Sequence, residues 1–225
     1  MKTLSILGCD PSLLNVIMEL AEDALGITQF EILLNIPVEI GKAFQPLPHW
    51  KHTVHELKDL TPEQIQGLAN AGLFAFSVSH EPVKTILYEA FQEVLALKHA
   101  QFPRLIHPSA VVSRSASLGF GLHIEPNVTV SACSKLGFGI HIKRGSSVGH
   151  HCHLEDFTTL NPGVTLSSFV RVGRGTRIGA GSVVRDNVTI GENCMIGMGS
   201  VVTKDIPADT LAVGSPAKVV KKLNE

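Results

Sequence analysis

The chain has 225 residues, with 19 basic and 20 acidic side chains and a formal net charge of −1 at pH 7. This near-balance, without a basic patch, argues against a nucleic-acid-binding protein. No apolar run approaches the ~20 residues of a membrane span. The N-terminus lacks the apolar segment and cleavage site of a signal peptide, so we expect a cytoplasmic protein. The four cysteines have no metal-type spacing and are expected to be reduced.

The first hundred residues predict a small α/β domain. Residues 3–7, 30–36 and 73–78 are continuous apolar runs, typical of buried parallel strands. Helices are predicted over 11–24, from about residue 61, and over 82–97, with 98–104 as linker. Alternating strands and helices predict a Rossmann-like parallel sheet in a domain of residues 1–103.

A polar, Pro-containing region lies between the second and third predicted strands. It carries His49, His52 and His55 around Trp50. A His-x-x-His-x-x-His pattern on a loop or helix end is a poor metal geometry without further ligands. We therefore predict a solvated segment here.

Candidate ligand-binding residues of the first domain follow its predicted strands, because ligands of parallel α/β sheets bind at the carboxyl ends of the strands. The candidates for acceptor binding are Gly8, Asp10, Ser12, Asn35 and Ser79. The first of these loops has a single glycine, so an alternative remains open. Gly8 then forms only a tight turn and Asp10 only a helix N-cap.

The second half of the chain has a strict period of six. Every sixth residue from Ile106 to Val202 is Ile, Leu or Val, over seventeen consecutive positions. This period predicts a parallel β-helix in which three hexapeptides form one triangular coil. Large aliphatic side chains are expected to stack inside and small residues to fit the corners. Glycines that follow the aliphatic residue are expected to permit tight corners.

Histidines and carboxylates concentrate in one part of this repeat. His150, His151 and His153 follow Val148 and should point outward or lie at a corner. An imidazole on the outer wall is a candidate general base, because its ordinary pKa lies close to working pH. For His153 we favour an exposed residue without a catalytic role.

Residues 106–220 resemble the hexapeptide-repeat acyltransferases, whose fold is a left-handed parallel β-helix that assembles into trimers. Together with the α/β domain, the run from His150-His151-Cys152 to residues 160–163, Leu-Asn-Pro-Gly, is similar to bacterial sugar acetyltransferases. That group includes bacillosamine-pathway N-acetyltransferases of UDP-amino sugars and sialic acid O-acetyltransferases. Residues 211–219 resemble the segment beside the coenzyme A site of the family.

The resemblance implies catalytic roles within residues 104–225. His150 would be the base that takes a proton from an amine or hydroxyl of the sugar. A backbone N–H at Ser168 would stabilise the oxyanion. His151 stands where many relatives have an acidic residue that orients the base. Glu155, Asp156 or a neighbouring chain would then orient His150.

The resemblance also implies binding sites and partners. Acetyl-CoA would lie in a groove between two β-helices, so the protein is expected to be a homotrimer with active sites between subunits. The acceptor would be a sugar or nucleotide sugar, and no metal is expected. Six residues would contact the coenzyme, three at the pantetheine arm and three near the adenine end: Thr159, Ala180, Met198, Gly214, Pro216 and Lys218.

Three alternatives remain beside a sugar N-acetyltransferase. One is O-acetylation of a sialic acid or polysaccharide. Another is a zinc carbonic-anhydrase-like β-helix that uses His123, His141 and the histidines at 150–153 as ligands. His123 and His141 occupy the same register position one coil apart, and we favour simple packing for them. The third is a non-catalytic scaffold.

Overall fold

The structure is a computed structural model that describes residues 2–8, 10–35, 47–78 and 83–223. The chain divides into two compact units, Met1–Leu105 and Ile106–Glu225. The boundary lies two residues beyond the predicted one, because Leu105 packs in the core of the first unit. Within the described residues, no helix has the length and apolar character needed to cross a membrane.

The first unit is a parallel sheet with helices, as predicted. Its strands are β1 (Thr3–Leu7), β2 (Gln29–Leu34), β3 (Lys51–Glu56) and β4 (Leu73–Phe76), in the order β3-β2-β1-β4. Its helices are α1 (Pro11–Leu25), α2 (Pro62–Ala71) and α3 (Val83–Leu95), with short 3₁₀ turns at Leu57–Asp59 and His99–Gln101. Apolar residues of α1 pack on Leu4 and Ile6 of the central strand.

The segment that carries His52 and His55 is largely exposed, as predicted, but it forms a strand, β3, that the sequence did not predict. These residues lie in an ordered edge strand, where His52 is the register partner of Phe30 and His55 that of Leu33. The apolar periodicity that marks a strand is absent, because β3 pairs on one side only and its residues 51–54 are exposed. An edge strand tolerates polar side chains that a central strand would exclude.

The second unit is a parallel β-helix of seventeen two-residue strands, which we number β5 to β21. In chain order they are Leu105–Ile106, Val111–Val112, Ser117–Leu118, His123–Ile124, Thr129–Val130, Lys135–Leu136, His141–Ile142, Ser147–Val148, His153–Leu154, Thr159–Leu160, Thr165–Leu166, Arg171–Val172, Arg177–Ile178, Val183–Val184, Thr189–Ile190, Met195–Ile196 and Val201–Val202. This confirms the fold class that the period of six predicts.

Every third strand belongs to the same sheet, so the coil has three walls. Wall 1 contains β5, β8, β11, β14, β17 and β20; wall 2 contains β6, β9, β12, β15, β18 and β21; wall 3 contains β7, β10, β13, β16 and β19. The hairpin of β22 (Thr210–Gly214) and β23 (Ala217–Lys222) extends wall 1. We call the turns between walls edge 1/2, edge 2/3 and edge 3/1.

The aliphatic residue of each strand points inward and the residue before it points outward. Val148, Leu154 and Leu160 are fully buried in one continuous core. The small residues at the corners are also buried, and several tie one coil to the next. The Ser146 hydroxyl, for example, donates to the Asn161 carbonyl at 3.0 Å.

The glycines after the aliphatic residues serve a purpose different from the predicted one. Gly149 and Gly173 are not in the left-handed region. A Cβ on Gly149 would lie 2.6 Å from the carbonyl carbon and oxygen of Ser167 in the next coil. Glycine is therefore needed there for close stacking of coils. Left-handed backbone occurs two residues later, as at His151 with φ +58°.

Candidate active site

His150 lies at edge 2/3, in the turn between β12 of wall 2 and β13 of wall 3. Its side chain is exposed, as the register predicts. The turn is fixed by its neighbours, because the N–H of His151 donates to Ala132 O and the N–H of Phe169 donates to His150 O, both at 3.0 Å. Stacked coils thus hold the catalytic candidate on a rigid corner.

His150 and His151 form a contact that the sequence did not reveal. Their Nδ1 atoms lie 3.0 Å apart, a distance that requires one ring to donate and the other to accept. The His151 ring stacks on Phe169, with centroids 4.9 Å apart and planes at 20°. His150 meets the same Phe169 ring edge-on at 5.2 Å. One aromatic side chain therefore positions both imidazoles.

Ser168 lies one coil beyond His150 on the same edge. Among the hydrogen bonds of the described residues, the ladder uses the N–H groups of Ser167 and Phe169 but not that of Ser168. The Ser168 N–H, one coil from the candidate base, is therefore left available as a hydrogen-bond donor.

Glu155 and Asp156 lie at edge 3/1, where their carboxylates accept backbone N–H groups of neighbouring coils. Glu155 Oε2 accepts the N–H of Arg174 at 3.1 Å, and Asp156 Oδ1 accepts the N–H of Phe138 at 2.7 Å. Among the hydrogen bonds of the described residues, neither carboxylate bonds to His150 within the chain, which leaves the third expectation, a group from a neighbouring chain, as a prediction. The polar side chain that contacts His150 within the described chain is that of the adjacent His151.

The candidate coenzyme residues gather at a different edge. Ala180 and Met198 lie in successive turns of edge 1/2, where Gly199 N donates to Ala180 O at 2.9 Å. The Met198 side chain is 83% exposed. The end of the C-terminal hairpin returns to the same edge, since Gly214 N donates to Ser200 Oγ at 3.2 Å. Pro216 and Lys218 follow within that hairpin.

Thr159 differs from the other coenzyme candidates because it is buried. It lies on wall 1 beside His141, its register partner, and only 1% of it is exposed. In this structure Thr159 therefore presents no open surface to a ligand.

A buried cluster of ionisable side chains lies at β8 and β11, the two strands of wall 1 that precede Thr159. The ring of His141 contacts that of His123 edge-on at 5.5 Å, and its Nε2 lies 2.8 Å from Glu125 Oε1. Glu125 Oε2 accepts the N–H of Arg144 at 3.1 Å. Burial alone would raise the pKa of Glu125, but the hydrogen bonds and charges of His141 and Arg144 outweigh it and hold the pKa below its ordinary value.

This cluster bears on the zinc alternative. Within the part of the chain that the structure describes, no group of three or more His, Cys, Asp or Glu side chains is arranged to hold a metal ion. His141 instead uses Nε2 for a carboxylate hydrogen bond. The histidine pair thus fits the packing role that its register suggested.

The acceptor candidates of the first unit lie at the carboxyl edge of its sheet. Gly8 follows β1 with φ +80° and donates its N–H to Leu33 O at 2.9 Å. Asp10 N hydrogen-bonds to Ser77 Oγ at 3.1 Å, and Asn35 is exposed after β2. Ser12 is the second residue of α1, and Ser79 lies outside the described residues.

Comparisons with known proteins agree with the fold. Residues 169–204 match the bacterial transferase hexapeptide family (six repeats). No curated protein matches the chain. A variant of perosamine N-acetyltransferase from Caulobacter crescentus, solved with CoA and GDP-perosamine, is 26% identical, with a TM-score of 0.78 over 99% of this chain and 98% of that one.

Two further solved structures match over nearly the whole chain. The acetyltransferase domain of PglB from Neisseria gonorrhoeae FA1090, in complex with acetyl coenzyme A, is 29% identical, with a TM-score of 0.76 over 97% of this chain and 99% of that one. WeeI from Acinetobacter baumannii AYE, at 20% identity, has a TM-score of 0.80 over 98% and 100% and supports the fold. The predicted resemblance to hexapeptide-repeat sugar acetyltransferases is confirmed.

Proposed function

We propose that the protein transfers the acetyl group of acetyl-CoA to an amine of a nucleotide-linked sugar, with His150 as general base. The enzyme class, an acetyl-CoA-dependent acyltransferase, is confirmed by the full-length likeness to acetyltransferases solved with CoA or acetyl-CoA. An amine on a nucleotide sugar is favoured because GDP-perosamine is bound in the Caulobacter N-acetyltransferase.

The single observation that carries the role of His150 is its Nδ1 contact with His151 at 3.0 Å. If His150 donates its Nδ1–H to His151, its Nε2 has a lone pair and faces solvent as a base. The opposite tautomer would place the proton on Nε2 and remove that base. In this proposal His151 accepts the Nδ1–H of His150 and so selects the productive tautomer, a role the acidic residue has in many relatives.

The chemical step follows from these groups. The sugar nitrogen attacks the thioester carbonyl while Nε2 of His150 removes a proton from it, and the new C–N bond forms. The Ser168 N–H donates to the developing oxyanion, which needs a preorganised donor. Collapse breaks the C–S bond, and the thiolate of coenzyme A takes the proton from His150. A positioned base contributes about 10²- to 10⁴-fold to the rate.

A trimer would bring the two halves of this site together. Within one chain His150 lies at edge 2/3, whereas Ala180, Met198 and Gly214 lie at edge 1/2. Wall 2 separates the two edges, and its outward residues are small and uncharged: Val111, Thr129, Ser147, Thr165, Val183 and Val201. We propose that edge 2/3 of one copy faces edge 1/2 of the next, with acetyl-CoA between them.

The decisive experiment is thiol release from acetyl-CoA, measured on the wild type and on His150→Ala in the presence of UDP- and GDP-linked amino sugars. We expect kcat to fall by about 10²- to 10⁴-fold in the variant, with an unchanged melting temperature because the residue is exposed. His49→Ala, which removes an exposed histidine of the first unit, is the control and should retain activity. Equal activity of His150→Ala and the wild type would exclude His150 as the base.

A further inference from the structure

Wall 3 carries a column of basic side chains beside edge 2/3, the edge on which His150 lies. Lys135, His153 and Arg171 are the outward residues of three successive strands and are direct register partners. Neighbouring strands lie about 4.8 Å apart, so the three side chains form one continuous stripe. Lys135 and Arg171 are exposed and His153 is partly exposed.

The two positive charges of this column, on Lys135 and Arg171, lie on either side of His153. Neither Lys135 nor Arg171 takes part in any salt bridge between described residues. Within the described residues, no ion pair therefore neutralises the positive charges of this column.

The stripe lines a cavity that adjoins the catalytic pair. The cavity has a volume of about 440 Å³, and no acidic residue lines it. His151 and Phe169 form part of its wall, and both contact His150. Amide and hydroxyl side chains at its other end belong to Asn187 and Thr189. A ligand in this cavity would meet several hydrogen-bond donors and at least two positive charges.

We propose that the column of Lys135, His153 and Arg171 binds the diphosphate of the nucleotide-linked acceptor. This inference rests on the proposed function and specifies where the acceptor is held. The guanidinium of Arg171 offers the forked donor geometry that suits phosphate oxygens, and Lys135 adds a point charge. Their spacing along the stripe allows both to contact one diphosphate.

The chemistry of the two substrates favours the acceptor over the coenzyme. In a nucleotide sugar the diphosphate is attached directly to the sugar ring, so it remains close to the base when the sugar amine reaches His150. In acetyl-CoA the pantetheine arm separates the thioester from the diphosphate. Phosphates of the coenzyme would therefore lie well away from His150 during transfer.

The test uses the full-length protein and the substitutions Lys135→Gln and Arg171→Gln. Lys221→Gln is the matched control, because it removes one positive charge from an exposed position on β23. Binding of UDP, GDP and inorganic pyrophosphate is measured by calorimetry, which requires no acetyl transfer. We expect each of the two variants to weaken binding by about tenfold, as for loss of one charge-assisted hydrogen bond. The control should bind as the wild type does.

Kinetics supply the second measurement. We expect the KM for the nucleotide sugar to rise in both variants, while kcat and the KM for acetyl-CoA change by less than about twofold. A rise in the KM for acetyl-CoA instead would overturn the inference, as would unchanged binding in both variants or no binding of any probe to the wild type. Acetyl transfer to a nucleotide-linked amino sugar, with binding and KM unchanged in both variants, would reject the inference alone. Column-dependent pyrophosphate binding without acetyl transfer to any amine would reject the proposed function.

Discussion

Replacing His151 tests whether it selects the tautomer of His150. The left-handed corner at φ +58° restricts which residues fit, but other coils show what is tolerated. Asparagine occupies the equivalent position at residue 187 (φ +62°) and phenylalanine at residues 157 and 169. His151→Asn therefore keeps a hydrogen-bond acceptor in a proven conformation. His151→Phe keeps an aromatic ring and removes the acceptor.

The size of the effect follows from the one hydrogen bond that is lost. The Nδ1–Nδ1 contact is exposed, and a hydrogen bond between two uncharged side chains is worth about 0.5–1.5 kcal/mol. If that energy sets the preference for the productive tautomer, kcat of His151→Phe should fall, by at most about two- to twelvefold, because the population of that tautomer cannot fall by more than its equilibrium constant does. The Oδ1 atom of the Asn variant can accept the Nδ1–H of His150, so its kcat should remain within about twofold of the wild type.

The assay is steady-state thiol release, combined with ¹⁵N NMR of the imidazole nitrogens to report the tautomer of His150. We expect the Nδ1–H form in the wild type and the Asn variant, and a mixture of tautomers in the Phe variant. The KM for acetyl-CoA should stay unchanged, because His150 is not displaced. If the Phe variant retains the Nδ1–H form and full kcat, His151 has no positioning role.

The remaining predictions concern stability. Glu125→Gln should destabilise the fold by about 3–5 kcal/mol, because it breaks a buried pair with His141; Glu155→Gln, which loses an exposed acceptor, should cost under about 1 kcal/mol. Since the pKa of Glu125 is lowered in the fold, its stabilisation is present above its unfolded pKa and is lost as the pH falls through its folded pKa. Thermal melts at several acidic pH values check this, and identical melts of wild type and Glu125→Gln would contradict it. Gly173→Ala should cost several kcal/mol, because its Cβ would lie 2.5 Å from the next coil. The control Gly181→Asn, with φ +68° and open space, should change little, and similar melts of these two variants would disprove the stacking argument.

The sequence predicts the β-helix well because its core is periodic. Each aliphatic position repeats one local environment, so an uninterrupted period of six reports both register and orientation. The same register places His150 on an outer corner, where the structure has it. Edge strand β3 was missed for the opposite reason, because Lys51–Glu56 is polar and pairs on one side only.

Side-chain partners were less predictable, because they depend on contacts between coils. Glu155 and Asp156 are near His150 in sequence but lie across a wall from it, at edge 3/1. The Arg174 amide, nineteen residues further on, donates to the carboxylate of Glu155. The contact between His150 and His151 depends on the left-handed turn, which the residue pattern does not display.

The central claim is that acetyl reaches an amine of a nucleotide-linked sugar. The most direct measurement is mass spectrometry and NMR of products formed from acetyl-CoA with UDP- and GDP-linked amino sugars, their hydroxyl counterparts and free sialic acids. We expect one added acetyl group, on nitrogen, only with a nucleotide-linked amino sugar. Acetylation of a hydroxyl group, or of free sialic acid in preference to every nucleotide sugar, would contradict it.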